Sequence, residues 1–376
     1  MSKATSKGLA GIVVADSALS FIDGQKGILR YRGILIDELA IHSTYEEVVY
    51  LLLFGKLPTQ KQLDAFKARL AAERDLDDSV WDMLTSFPCW PQPMEALRTA
   101  VSALSSCDPQ AGDDGREANV NKTIHLIAKM PTIVAYHYRH SQGLERVHPS
   151  PDLGHAANFL YMLRGEPPTE IEERAMDLIL VLLADHGFNA STFTARVTAS
   201  TLSDVYSAIT SAIGTLKGPL HGGANERAMK MLLEIGDEEK VDAYIDEALA
   251  AKKRIMGFGH RVYRVADPRA IQLQSMVCAL EEEAQDPHWC HLSLKIDETV
   301  RAKKEGLYPN VDFFSASTLY TLGVPVELFT PVFAISRVAG WLAHVLEQYD
   351  DNRLIRPLSN YVGPAEGPYV PIQERG

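Results

Sequence analysis

Long apolar runs are what this sequence most lacks. The longest strongly apolar stretch, about Leu178 to Ala184, falls far short of the roughly 20 residues a membrane span requires. The opening Met-Ser-Lys-Ala-Thr-Ser-Lys-Gly has no run of signal-peptide length behind it, so a cytoplasmic protein with no membrane partner is expected. Cysteine is scarce as well. Cys89, Cys107, Cys278 and Cys290 show no CxxC spacing, so neither a disulfide framework nor a structural zinc site is indicated, and free, mostly buried thiols are expected. Positive charge is in deficit: 37 Lys and Arg against 49 Asp and Glu give a net charge of −12, which argues against nucleic acid as the main partner. Strand signals are confined to the first 35 residues, where Ile28-Leu29-Arg30-Tyr31-Arg32 alternates between Gly24 and Gly33.

What remains reads as helix. At 376 residues, 46% hydrophobic and 23% charged, the chain can bury a substantial core, and two domains are expected. Thr169-Glu170-Ile171-Glu172 is a capping box, opening a helix that is apolar nearly all round through Ala184, with Gly187 as a stop just beyond. Ser203 is placed to cap a helix from Asp204 to about Leu216. Its small residues Ala208, Ser211, Ala212 and Gly214 suit either a subunit interface or close packing inside one core. Thr330-Pro331 reads as an N-cap followed by proline at the first helical position, opening a helix to about Gln348.

Five polar blocks interrupt this apolar, helical background. In Gly218-Pro219-Leu220-His221-Gly222-Gly223, glycines let backbone approach a ligand, and a helix follows from about Asn225. A histidine at a helix N-terminus sits in a positive potential that keeps it neutral and able to donate to a developing enolate; it could also be a turn residue that caps the helix. His260 lies in Gly257-Phe258-Gly259-His260, which lacks the third glycine and preceding strand of a dinucleotide fingerprint. Around it, Lys252, Lys253, Arg254, Arg261, Arg264 and Arg269 face one acid, Asp267. Such a run suits phosphates or carboxylates, or is simply a solvated loop. Arg337 lies on a helix with little polar face, so a buried guanidinium there needs an anion, from protein or from substrate. Asp312, flanked by Val311 and Phe313-Phe314, is either a desolvated base or a helix cap. His186 and Asn189 end the apolar helix, where a satisfied core histidine is the ordinary reading.

In this order, Asp185–Asn189, Gly218–Asn225, Gly257–Arg269, Pro309–Asp312, Arg337-Val338-Ala339-Gly340-Trp341 and Arg356-Pro357 resemble the citrate synthase family, as do Ile22-Asp23-Gly24 and Tyr31-Arg32-Gly33 near the start. The likeness spans essentially the whole chain and is to the short bacterial and archaeal form. It implies an all-α, two-domain fold: a large domain of residues 1–220 and 325–376, and a small one of 221–324. It implies a homodimer with the site in the cleft, no prosthetic group and no metal, and acetyl-CoA and oxaloacetate as substrates. Asp312 would take a methyl proton, His221 would stabilise the enolate, and His260 would polarise the ketone. His186, Asn189, Arg269 and Arg337 would serve the oxaloacetate pocket, with Arg356 entering from the second subunit, and Arg264 would face a coenzyme A phosphate. The resemblance leaves 2-methylcitrate synthase, working on propionyl-CoA, as the nearest rival, because the catalytic residues are shared. A metal-dependent hydrolase using the histidines and Asp312, and a non-catalytic coenzyme A-binding protein, are more distant ones; the first lacks any local spacing such as His-Glu-x-x-His.

Overall fold

The computed structural model describes residues 6–9, 11–86 and 92–375; Cys89 lies outside them. A small antiparallel sheet comes first, β1 (Ser20–Asp23), β2 (Ile28–Tyr31) and β3 (Ile34–Leu35), in that order. Asp23 Oδ1 accepts the N–H groups of Gln25 and Lys26, which folds the β1–β2 turn. The strand expected at Ile28–Arg32 is thus the middle of a three-stranded unit, and Arg32, at φ 47°, begins the turn to β3.

Apart from short 3-10 turns, the regular structure that follows among the described residues is α-helical. The first helices are α1 (Ile36–His42), α2 (Tyr45–Phe54), α3 (Gln60–Ala72), α4 (Asp78–Thr85), α5 (Pro93–Leu104), α6 (Arg116–Ser141) and α7 (His155–Arg164). Next come α8 (Glu170–Leu183), α9 (Ala190–Ala199), α10 (Val205–Leu216), α11 (Ala224–Ile235) and α12 (Val241–Ala250). Last are α13 (Pro268–Ala284), α14 (His288–Lys303), α15 (Val311–Thr321) and α16 (Phe329–Asp350). The fold is mainly α, as expected. One group of helices gathers around α16, which touches α2, α5, α6, α8, α9 and α10; α11 to α15 pack mostly on one another. The groups meet where α13 touches α8 and α11 touches α16.

Local rules explain most helix starts. Thr169 caps α8 with the reciprocal Glu172 bond that its spacing calls for. Two starts differ from the sequence reading. Asp204, not Ser203, caps α10, its carboxylate accepting the Ser207 N–H and hydroxyl. The last long helix begins at Phe329 after a 3-10 turn, so Thr330 is inside it, and its hydroxyl reaches Gly222 O and the Glu226 carboxylate. Pro331 is tolerated in that first turn because the N–H it lacks has no intrahelical partner there. In α10, Ala208 and Ala212 are wholly buried within the protomer, while Ser211 and Gly214 are half-exposed; close packing accounts for two of the four small residues.

The segment Val326–Asp350 has the length and mean hydropathy to cross a membrane, yet its most apolar window is entirely buried inside the fold. Helix α16 is therefore a core element, carrying Trp341, Phe329 and Val338 with no exposure. Each such side chain contributes roughly 1.5–3 kcal/mol by leaving water. The thiols differ from expectation: Cys278 and Cys290 form a disulfide joining α13 to α14. Twelve residues apart in sequence, they meet because the two helices fold back on each other across a short connection. Glu281 strengthens the same junction by accepting the Trp289 and Cys290 N–H groups. Cys107 is free.

Candidate active site

His186 sits on a turn that three elements hold. Helix α8 ends at Leu183, and Gly187 takes φ 55° to reverse the chain. The Tyr31 hydroxyl of β2 donates to Asp185 O at 2.8 Å. Helix α16 comes so close that a Cβ on Gly340 would lie 2.4 Å from Ala184 O, while the Gly340 N–H donates to that same oxygen at 3.1 Å. Burial alone would raise the Asp185 carboxyl; His344, 3.3 Å away, and Arg337 hold it below its ordinary value instead. The His186 ring lies edge-on to His260 at 5.4 Å, with Nε2 3.2 Å from the Tyr263 hydroxyl. Burial first, then Arg269, His260 and Arg337, keep it neutral, well below the usual histidine range.

His221 precedes α11, but another helix sets its electrostatics. Its Nε2 accepts the Ser191 N–H at 3.3 Å and lies 2.8 Å from Ser191 Oγ, at the N-terminus of α9. Ser191 is itself fixed by Trp341 Nε1–H and by Asn189 Oδ1. A backbone N–H can only donate, so Nε2 carries no proton and Nδ1–H is the donor left for a ligand. Burial and Arg337 push this imidazole down to about 4. His260 is locked in the opposite tautomer: its Nδ1 accepts both Val262 N–H at 2.9 Å and Tyr263 N–H at 3.1 Å, leaving Nε2–H free. Burial and then Arg269 push it too down to about 4.

Asp312 lies in the first turn of α15, whose cap is Asn310: Asn310 Oδ1 accepts the Asp312 N–H at 2.9 Å. The helix does not need the Asp312 carboxylate, which takes no hydrogen bond among the described residues. Desolvation raises it to about 6 against the opposing pull of Arg269 and Arg337. Asn310 Nδ2 also donates to Gly259 O at 2.8 Å, so one side chain ties the Asp312 helix to the His260 loop. Arg269 forms a two-point pair with Asp267, at 3.0 and 2.8 Å, leaving Nη1 without a hydrogen-bond partner among the described residues. Arg337 is 1% exposed, donates Nε–H to Leu183 O at 2.6 Å and stacks on Phe333. It forms no ion pair among the described residues. Burial draws its charge down to about 10, partly offset by Asp185. A guanidinium in that position costs several kcal/mol until an anion arrives.

Beside His221, His260 and Asn310 opens a cleft of about 770 Å³ lined by Arg227, Lys252, Lys253, Arg254, Arg261 and Lys304, with no carboxylate in its wall. Four of these cations belong to the basic run; Arg227 on α11 and Lys304 after α14 reach it only through the fold. Arg264 is exposed and faces a smaller depression with Tyr263 and Tyr308. The Asn189 side chain is occupied in capping α9, through Thr192 N–H and Thr192 Oγ1, so it serves the site through Ser191. Arg356 lies on an exposed C-terminal stretch without regular structure and joins none of these groups in its own protomer. Ser191, Tyr263 and Asn310 were not singled out from sequence; only the Asn-x-Ser start of α9 and the Asn-Val-Asp start of α15 hint at them.

Residues 8–358 match the family model described as citrate synthase, C-terminal domain. The chain belongs to the citrate synthase family. It is 51% identical over its full length to a citrate synthase of Haloferax volcanii, which it also covers entirely. A 2-methylcitrate synthase 1 of Corynebacterium glutamicum is 42% identical, with 98% of each chain covered. Among solved structures, the ternary complex of Thermoplasma acidophilum citrate synthase with carboxymethyl coenzyme A and oxaloacetate superposes with a TM-score of 0.92 at 36% identity over 100% of both chains.

With Asp312 as the base, kcat/KM is expected to fall as pH drops through about 6, where its carboxyl takes up a proton. His221 and His260, neutral down to about 4, add no limb above that. A pH–rate profile checks this; a rate that stays flat down to the ordinary carboxylate range, about pH 4, would contradict it.

Proposed function

We infer that this chain catalyses the citrate synthase reaction, joining acetyl-CoA, oxaloacetate and water into citrate and coenzyme A. The observation that carries the reading is the pair of imidazoles held as opposite neutral tautomers, because the reaction needs one N–H for a thioester oxygen and another for a ketone oxygen. Asp312 removes a proton from the acetyl methyl group while His221 Nδ1–H donates to the thioester oxygen as negative charge gathers there. The methyl carbon then bonds to the ketone carbon, and His260 Nε2–H supplies the proton for the new alkoxide. Water attacks the citryl thioester and returns a proton to His260, and the C–S bond breaks to release thiolate, which takes up the proton that Asp312 holds.

Oxaloacetate is a dianion, and Arg337 with Arg269 and His186 is the natural receiver for it. Coenzyme A phosphates suit the cationic cleft, with Arg264 reaching them from the smaller depression beside it. Like its family, the chain needs no prosthetic group. The reading keeps residues 221–324 as a small domain that closes on the large one and excludes water. It also keeps a cytoplasmic homodimer in which Arg356 enters the partner's site. The C-terminal stretch around Arg356 supports that dimer, since Leu358, Tyr361, Val362 and Tyr369 are all at least 80% exposed in a single chain and need a surface to cover them.

The likeness to a 2-methylcitrate synthase keeps propionyl-CoA in view, since one methylene is worth only roughly 1–3 kcal/mol in a pocket. Thiol release measured with each thioester in the presence of oxaloacetate decides it. A kcat/KM for acetyl-CoA at least about 10-fold above that for propionyl-CoA is expected; the reverse order moves the chain to the methylcitrate branch.

A further inference from the structure

The loop carrying His260 is gripped from outside the cleft by the first hairpin of the chain. Arg264 N–H donates to Gly24 O at 2.8 Å. A Cβ at Gly24 would lie 2.2 Å from Val262 O and 2.7 Å from its carbonyl carbon. One at Gly27 would lie 3.0 Å from Val265 Cγ2 and 3.1 Å from Ala266 O. Gly24 lies outside the left-handed region, so glycine is required there for space and not for backbone conformation.

The residue it touches is one that fixes the histidine. Val262 N–H and Tyr263 N–H are the two donors to His260 Nδ1. The same hairpin is anchored at its other end on the His186 turn, where Ser20 Oγ donates to the Asp185 carboxylate and Tyr31 bonds Asp185 O. One rigid β unit thus bears on both histidine loops while contributing no side chain of its own to the acid–base set.

We propose that Gly24 is a positioning residue for His260: the bare β1–β2 turn sets the place of the Val262–Tyr263 peptide groups, and these hold the imidazole in the tautomer that donates to the ketone. The proposal rests on the reading of His260 given above. Gly24→Ala forces Val262 away by about 1 Å, a displacement that costs up to about 100-fold when it misplaces a reacting group. The step that uses His260 should suffer most, because the displaced Val262 carries a donor to His260 itself, whereas Asn310 holds Asp312 and meets that loop only at Gly259, and Ser191 holds His221.

Two rates separate that effect from general damage. One is thiol release with oxaloacetate. The other is deuterium exchange of the acetyl-CoA methyl group in D2O with L-malate, which can fill the oxaloacetate subsite but offers no ketone. Gly24→Ala is expected to slow thiol release about 10- to 100-fold, with exchange within about 2-fold of wild type and melting within about 3 °C. Gln25→Ala, an exposed change in the same turn, is expected to leave both rates unchanged. Should the alanine variant fail to fold, Asp23→Ala loosens the turn without adding an atom, and the same split between the two rates is expected. Equal losses in both rates, or wild-type condensation in Gly24→Ala, would overturn the proposal. Undiminished condensation in His260→Ala would instead sink the reading of His260 itself.

Discussion

Asp312→Asn lowers the rate of thiol release from acetyl-CoA by about 10²- to 10⁴-fold, the usual contribution of a positioned general base. Asparagine matches the carboxylate in shape but cannot take a proton. The substitution leaves the helix start intact, because Asn310 and not Asp312 caps α15. Desolvation that lifts the Asp312 carboxyl to about 6 works against the charged form at neutral pH, so removing the charge does not lower stability. The expected pair of results is a large loss in kcat with a melting temperature equal to or above that of the parent. Thiol release and thermal unfolding, measured on the same preparation, check it. A folded variant with more than a tenth of the parent's activity would show that the proton goes elsewhere.

Arg337→Met is expected to trade function for stability. On the proposed reading Arg337 pairs with a substrate carboxylate, and losing such a buried charge costs about 2–5 kcal/mol, or roughly 30- to several-thousand-fold in kcat/KM for oxaloacetate. Without ligand, the same guanidinium is buried at 1% exposure with one backbone hydrogen bond and no ion pair among the described residues. Methionine has similar length, keeps contact with Phe333 and gives up only that bond, worth about 1 kcal/mol. Replacing buried charge by well-packed apolar atoms is often stabilising by about 1–4 kcal/mol. Unfolding of the ligand-free variant should therefore occur at the parent's temperature or higher, and oxaloacetate should no longer raise it. Thermal unfolding with and without oxaloacetate reads both effects. A strongly destabilised ligand-free variant would mean that Arg337 has a structural partner after all.

How much of this was legible in the sequence depends on the range of the interaction. Capping of α8 is set by residues three apart, and Thr169 with Glu172 announced it. At α10, adjacent Ser203 and Asp204 could each cap, and side-chain geometry chose the aspartate. The bond between Cys278 and Cys290 depends on α13 and α14 folding back on each other, which no spacing rule states. His221 was expected to feel the positive end of its own helix; its ring turns instead to α9, thirty residues upstream. The ambiguity over Asp312 had the same origin. Two residues near the start of α15 could cap it, and only the bond from Asp312 N–H to Asn310 shows which one does. Arg337 was the most legible case, because an arginine on an otherwise apolar helix demands an anion whatever the fold.

The most direct test uses the purified chain with acetyl-CoA labelled by carbon-13 at the methyl position, following thiol release and the fate of the label together. The account predicts no release without oxaloacetate, and with it one labelled citrate for each thiol set free. Release that ignores oxaloacetate would make the chain a thioesterase. No release with it present would remove the synthase reading altogether.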